Sequence, residues 1–108
     1  MEFVIGNQVW HLYFLPPFDD IFVMENGRRT VGVTDRNTHE VFIADNLHPT
    51  FEWKVLCHEM CHVSMCVYNV RLSVEQEEVI ADLIATYGAE ILDVTNRIFG
   101  KLHGKYAV

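Results

Sequence analysis

The first half of the chain alternates short apolar segments with polar turns, a pattern typical of β-strands. Residues 9–15 are rich in aromatic and branched side chains, and the prolines and acids of residues 16–20 end that segment. Residues 21–24 and 30–34 flank the hairpin signal Glu25-Asn26-Gly27 and are predicted to be two further strands.

The last predicted strand is Glu40–Ala44, which follows a polar turn at residues 35–38. Val41 and Ile43 are expected to share one face of this strand, with Glu40, Phe42 and Ala44 on the other. A polar stretch at residues 45–49 then closes the β half of the chain.

The second half changes to a helical period. Apolar residues recur every three or four positions from residue 51 to about residue 68, and Thr50 is the predicted N-cap of this helix. Ser73 and Gln76 form a capping box for a second helix that is predicted to reach about Phe99. Gly88 interrupts this helix, which indicates close packing against another backbone or a local irregularity. The tail, residues 100–108, gives no periodic signal.

Together these elements predict one α+β domain spanning residues 1–108, with a small antiparallel or mixed sheet followed by two helices. Half of the 108 residues are apolar, which is enough for a packed core. The formal charge is −7, from 15 acidic residues against 8 lysines and arginines, and no basic stripe is present. Nucleic-acid binding is therefore not expected.

No apolar run is long enough for a membrane span, and the first residues do not resemble a signal peptide. The chain has three cysteines, Cys57, Cys61 and Cys66. Their odd number without an export signal predicts reduced thiols and a cytoplasmic protein. They are more typical of small core residues than of metal ligands.

The segment His58-Glu59-Met60-Cys61-His62 fits the pattern His-Glu-x-x-His within the first predicted helix. Residues four apart share one helix face, so both imidazoles can bind one Zn²⁺ ion. Glu59 is rotated about 100° from them and can reach the water on that ion. The pattern is therefore that of a zinc peptidase.

A catalytic zinc normally has a third protein ligand. Met65 and Tyr68 occupy the positions where the metzincin continuation requires Gly and His, so this ligand must come from elsewhere. The start of the second helix offers four acidic residues, and Glu78 is the predicted ligand among Glu75, Glu77, Glu78 and Asp82. Asp82 lies one turn further and is predicted to accept the second ring N–H of His58.

These residues resemble the ImmA/IrrE family of zinc metallopeptidases. The resemblance runs from about Thr30 to Glu90 and rests on the His58–His62 motif and on the second-helix segment of residues 78–85. Asp82 stands where the family usually has Asn, and Ile84 where it has Phe. The resemblance implies a minimal zincin domain, often encoded by phages and mobile elements, whose relatives cleave repressors.

The predicted function is hydrolysis of a protein or peptide substrate, such as a repressor or another regulatory protein, by metal-activated water. Glu59 is the general base, and Tyr87, Tyr68 and His39 are candidates for stabilising the oxyanion. The strand Glu40–Ala44 is expected to border the cleft and to pair with the substrate as an added strand. The alternative is a non-catalytic, zinc-stabilised protein of a phage or mobile element that binds a host partner.

Overall fold

The structure is a computed structural model that describes residues 1–104, so residues 105–108 of the non-periodic tail lie outside the described part. It confirms the α+β class and gives a mixed sheet. The strands are β1 (Glu2–Ile5), β2 (Gln8–Leu15), β3 (Gly32–Asp35) and β4 (Glu40–Ala44), in the spatial order β1-β2-β4-β3. β2 and β4 are parallel, and the two outer pairs are antiparallel.

The core lies between this sheet and the first helix, α1 (Pro49–Val67). Trp10 and Leu12 of β2 and Val41 and Ile43 of β4 are buried there, together with side chains of α1 that include Val63. Each fully buried side chain of this kind stabilises the fold by about 1.5–3 kcal/mol. The alternation predicted for β4 is thus confirmed, and both central strands present apolar side chains to α1.

The first strand was not predicted. β1 and β2 form a hairpin around Gly6 and Asn7, whose φ angles of 53° and 68° are those of a type I′ turn. Gly and Asn tolerate positive φ better than other residues, so this dipeptide is the sequence signal for the hairpin.

The predicted strand at residues 21–24 is wrong. Asp20–Phe22 form a single 3₁₀ turn instead, and the side chain of Asp19 accepts a hydrogen bond of 2.9 Å from the backbone N–H of Ile21. Such a cap competes with the extended conformation. Only Val23 makes an isolated bridge, to Arg29.

β3 occupies the outer edge of the sheet, next to β4. The predicted strand at residues 30–34 is therefore shifted to Gly32–Asp35, and its partner is β4. Because β4 lies between β2 and β3, the expectation that Glu40–Ala44 borders a cleft is wrong. β3 is the strand that can do so.

The two helices begin and end close to their predicted limits. α1 starts at Pro49 because the His48 ring caps it, accepting from the N–H of Thr50, so Thr50 is not the N-cap. α2 (Val74–His103) has the predicted capping box of Ser73 and Gln76 and continues past Phe99.

α1 and α2 pack antiparallel through Cys61, Met65 and Ala81. This arrangement brings the first turns of α2 beside the histidines of α1. Within residues 1–104, neither helix combines the length and apolarity that crossing a bilayer requires.

Candidate metal centre

His58, His62 and Glu78 point their donor atoms at one another. The Nε2 atoms of the two imidazoles lie 3.1 Å apart. Glu78 Oε1 is 2.8 Å from His62 Nε2, and Glu78 Oε2 is 3.3 Å from His58 Nε2. One donor atom from each residue lies within 4.8 Å of the other two, so the three side chains could hold a metal ion.

The spacing of these atoms fits a small tetrahedral cation. Bonds of about 2.0–2.1 Å at tetrahedral angles separate ligand atoms by roughly 3.3–3.4 Å. The observed separations of 2.8–3.3 Å are slightly shorter than this and involve both carboxylate oxygens of Glu78. With one donor atom from each residue, the three side chains lie within 4.8 Å of one another, close enough to share a zinc ion.

Each imidazole is held through its other nitrogen. His58 Nδ1 lies 2.9 Å from Asp82 Oδ1, as the sequence predicted for Asp82. His62 Nδ1 lies 2.6 Å from Glu77 Oε1. A carboxylate accepts, so each Nδ1 donates and each Nε2 keeps a free lone pair.

When both rings are neutral, two imidazole lone pairs and the Glu78 carboxylate converge at this point. Acceptors at these separations repel each other unless a cation lies between them. Burial lowers the pKa of His62, against the opposing effect of the Glu78 charge, and this favours the neutral ring that binds metals.

Glu77 has a role that the sequence analysis did not assign. Its side chain is only 7% exposed, and it accepts from both His62 Nδ1 and the Arg36 guanidinium. The sequence offered Glu77 only as an alternative ligand. In the structure it contacts the Nδ1 atom of His62, on the side of the ring away from Glu78. The sequence signal for this orientation is that Glu77, Ala81 and Ala85 follow one another at intervals of four residues. Because both alanines are buried, this spacing places Glu77 on the side of α2 that faces α1.

Glu59 lies beside the ligand set and is buried, with 6% exposure. The hydroxyl of Thr34 donates to Glu59 Oε1 over 2.8 Å. Burial raises the pKa of Glu59, and the Thr34 hydrogen bond and the neighbouring His58 partly oppose this. A raised pKa strengthens the carboxylate as a base.

Gly32 of β3 makes room for Glu59. A Cβ atom at Gly32 would lie 2.9 Å from Glu59 Oε2 and 2.9 Å from Val55 Cγ1. Both distances are shorter than real Cβ contacts, so any other residue at this position must displace the carboxylate or the strand.

Two hollows open on either side of these residues and share Thr30, Gly32, His58 and Glu59. The larger hollow, about 630 Å³, extends to Arg36 and is otherwise bordered mainly by apolar side chains, including Ile21, Val23, Met24, Val33 and Val74. The smaller hollow, about 280 Å³, extends to Phe51, Lys54 and Ala85. The candidate centre thus lies in the middle of a cleft along β3.

Backbone N–H and C=O groups on the outer edge of β3 face this cleft. Val31 accepts from the N–H of Ala44, so in the alternating antiparallel ladder Gly32 and Thr34 direct their backbone N–H and C=O groups away from β4. The Thr30 hydroxyl donates to the Gly32 carbonyl over 3.3 Å. The remaining edge groups can pair with an extended chain.

The three predicted oxyanion candidates do not border either hollow. His39 stacks on Trp10 at a ring distance of 4.6 Å, and Tyr68 and Tyr87 are exposed elsewhere on the helices. The thiols are also away from the ligands. Cys57 and Cys61 line a different hollow between α1 and α2, and burial raises the pKa of Cys61 to about 11.

The chain matches no protein-family model, no curated protein and no solved structure. The resemblance to ImmA/IrrE peptidases therefore stays a prediction from the motif residues.

Proposed function

We propose that the protein is a zinc-dependent metallopeptidase. The observation that carries the proposal is the convergence of three potential metal-ligating side chains, His58, His62 and Glu78, beside the buried carboxylate of Glu59. A purely structural metal site is normally closed by four protein ligands. Within residues 1–104 this group offers three, which leaves a position for water.

Zinc held by His58, His62 and Glu78 would lower the pKa of a bound water and polarise a substrate carbonyl. Glu59 would accept a proton from the attacking water as its oxygen adds to the scissile carbonyl. Glu59 then delivers the proton to the nitrogen of the breaking C–N bond, which leaves as an amine. The hydrogen bond from Thr34 holds the Glu59 carboxylate in position during both transfers.

The cleft suits an extended peptide. The open edge groups of Gly32 and Thr34 supply the backbone pairing that defines strand addition. This replaces β4 by β3 as the strand that pairs with the substrate. Arg36 borders the larger hollow and supplies a positive charge for negative charge that develops on the substrate.

The resemblance to ImmA/IrrE peptidases makes a repressor or another regulatory protein in the cytoplasm the first class of substrate to test. The non-catalytic alternative, a zinc-stabilised protein that binds a host partner, has no use for a buried base at Glu59. A substitution of Glu59 therefore distinguishes the peptidase from the non-catalytic binding protein.

The test is cleavage of a diverse peptide library by the zinc-loaded protein, read by mass spectrometry, for the parent and for Glu59→Gln. The proposal predicts that Glu59→Gln retains zinc and loses cleavage by at least about 100-fold. Glu52→Gln, in the first turn of the same helix, is the matched control and keeps the parent rate. Equal cleavage by parent and Glu59→Gln refutes the mechanism, and a zinc-loaded parent that cleaves no peptide favours the non-catalytic alternative.

A further inference from the structure

The C-terminal half of α2 extends beyond the rest of the domain. From Ala89 to Phe99 every residue of α2 is exposed, and α1, which runs antiparallel to α2 and begins only at Pro49, does not cover them. Apolar residues nevertheless continue along this segment with alternating spacings of three and four. These residues, here called the α2 seam, are Ile84, Tyr87, Ile91, Val94 and Ile98.

The α2 seam is too large an apolar surface for a helix that remains in water. With its neighbours Leu92, Phe99 and Leu102, its side chains are 37–76% exposed. These fractions amount to roughly 800 Å² of exposed surface per chain, comparable with the area that each partner buries in a standard interface. The surface therefore needs a covering partner.

We propose that the covering partner is a second copy of this chain, with the two α2 helices packed antiparallel. Spacings of three and four are the pattern by which helices pack against each other in coiled coils. If the helices cross between Ile91 and Val94, each Ile91 packs against Val94 of the other copy, and each Ile98 packs against Tyr87. One two-fold axis thus pairs four of the five seam residues with one another.

The charges beside the seam select the antiparallel orientation. Glu90 and Arg97 lie on the same side of the seam, one before and one after the crossing point. In the antiparallel pair Glu90 of each copy therefore faces Arg97 of the other, which gives two intermolecular ion pairs. Within one chain Arg97 contacts Asp93 over 3.0 Å, and its planar guanidinium can bridge both carboxylates.

A parallel pair would place Glu90 opposite Thr95 and leave no such match. On the other side of the seam, Gly88 of each copy lies opposite Thr95 of the other copy in the antiparallel pair. Both residues are small, so the helices can approach closely there, which gives a physical reason for the glycine inside α2.

A membrane surface fits this helix less well. Interfacial helices carry an excess of lysine and arginine on their polar face. The polar face of the exposed segment has two acidic and two basic residues, Glu90, Asp93, Arg97 and Lys101. These equal numbers of acidic and basic residues favour a protein partner that also carries both charges in equal number, as a second copy of the chain does.

The first test is sedimentation of the full-length, zinc-loaded chain at about 100 µM, where any dimer with a micromolar dissociation constant is populated. The proposal predicts a dimer for the parent and a monomer for Ile91→Glu. Val79→Glu, an equally drastic change at an exposed position outside the seam, is predicted to stay dimeric. All three proteins should keep their zinc and their helix content.

The second test exchanges the charges. Glu90→Arg alone or Arg97→Glu alone creates two like-charge contacts and should weaken the dimer roughly tenfold. The double variant restores opposite charges and should recover the parent affinity. A monomeric parent, an Ile91→Glu variant that dimerises as Val79→Glu does, or a double variant no tighter than the single ones overturns the proposal.

Discussion

Replacing Glu77 by glutamine tests how the carboxylate behind His62 supports the metal centre. Glu77 is buried and accepts from His62 Nδ1 and from Arg36. Glutamine keeps the size of the side chain and one acceptor oxygen but removes the negative charge. The imidazole then loses the charged group that orients its ring and makes its Nε2 more basic.

The expected loss follows from these two contacts. Removing the partner of a ligating histidine typically lowers metal affinity by about 10–100-fold, or about 1.4–2.7 kcal/mol. A hydrogen bond to a charged group contributes about 1.5–3 kcal/mol to the metal-free fold. The Arg36 side chain is 44% exposed, so its ion pair with Glu77 adds little to that figure. Most of the loss expected for Glu77→Gln therefore comes from its contact with His62.

The assay is zinc competition against a chromophoric chelator, with thermal unfolding measured in parallel. Glu75→Gln, at an exposed position in the same first turn of α2, is the matched control and should bind zinc like the parent. Zinc affinity of Glu77→Gln within twofold of the parent would refute the reasoning. If Glu77→Ala lost all zinc and Glu78→Ala kept it, Glu77 would be the ligand instead.

Three further predictions concern residues around the site. Gly32→Ala should abolish peptide cleavage and lower the free energy of unfolding by about 1–3 kcal/mol, because the added Cβ collides with Glu59. A denaturation curve with unchanged stability would contradict this. Thr34→Val should reduce the cleavage rate about tenfold without loss of zinc, because Glu59 loses its donor; an unchanged rate counts against that contact. Ser73→Ala should lower stability by about 1 kcal/mol through loss of the capping box, measured by thermal unfolding.

The sequence predicted those parts of the fold that depend on local pattern. The helical period, the capping box at Ser73 and the alternation around Val41 are local signals, and the structure confirms them. The strand order could not be predicted in this way, because pairing joins residues far apart in sequence. For this reason β4 was placed at the edge of the cleft, where the structure has β3.

The same distinction applies to the candidate site. Helix geometry alone places His58 and His62 on one face of α1, and the antiparallel packing of α2 brings Glu78 and Asp82 beside them. Arg36 and Thr34 come from β3 and its turn, and no sequence spacing relates them to the motif. Their contributions depend on tertiary contacts, which a linear pattern does not contain.

The most direct test of the central claim is anomalous X-ray diffraction at the zinc edge from crystals of the zinc-loaded protein. The proposed zinc site predicts one strong peak about 2.0–2.1 Å from the Nε2 atoms of His58 and His62, and at a similar distance from a Glu78 carboxylate oxygen. A zinc ion bound instead by Glu77, by the cysteines or at another place would contradict it.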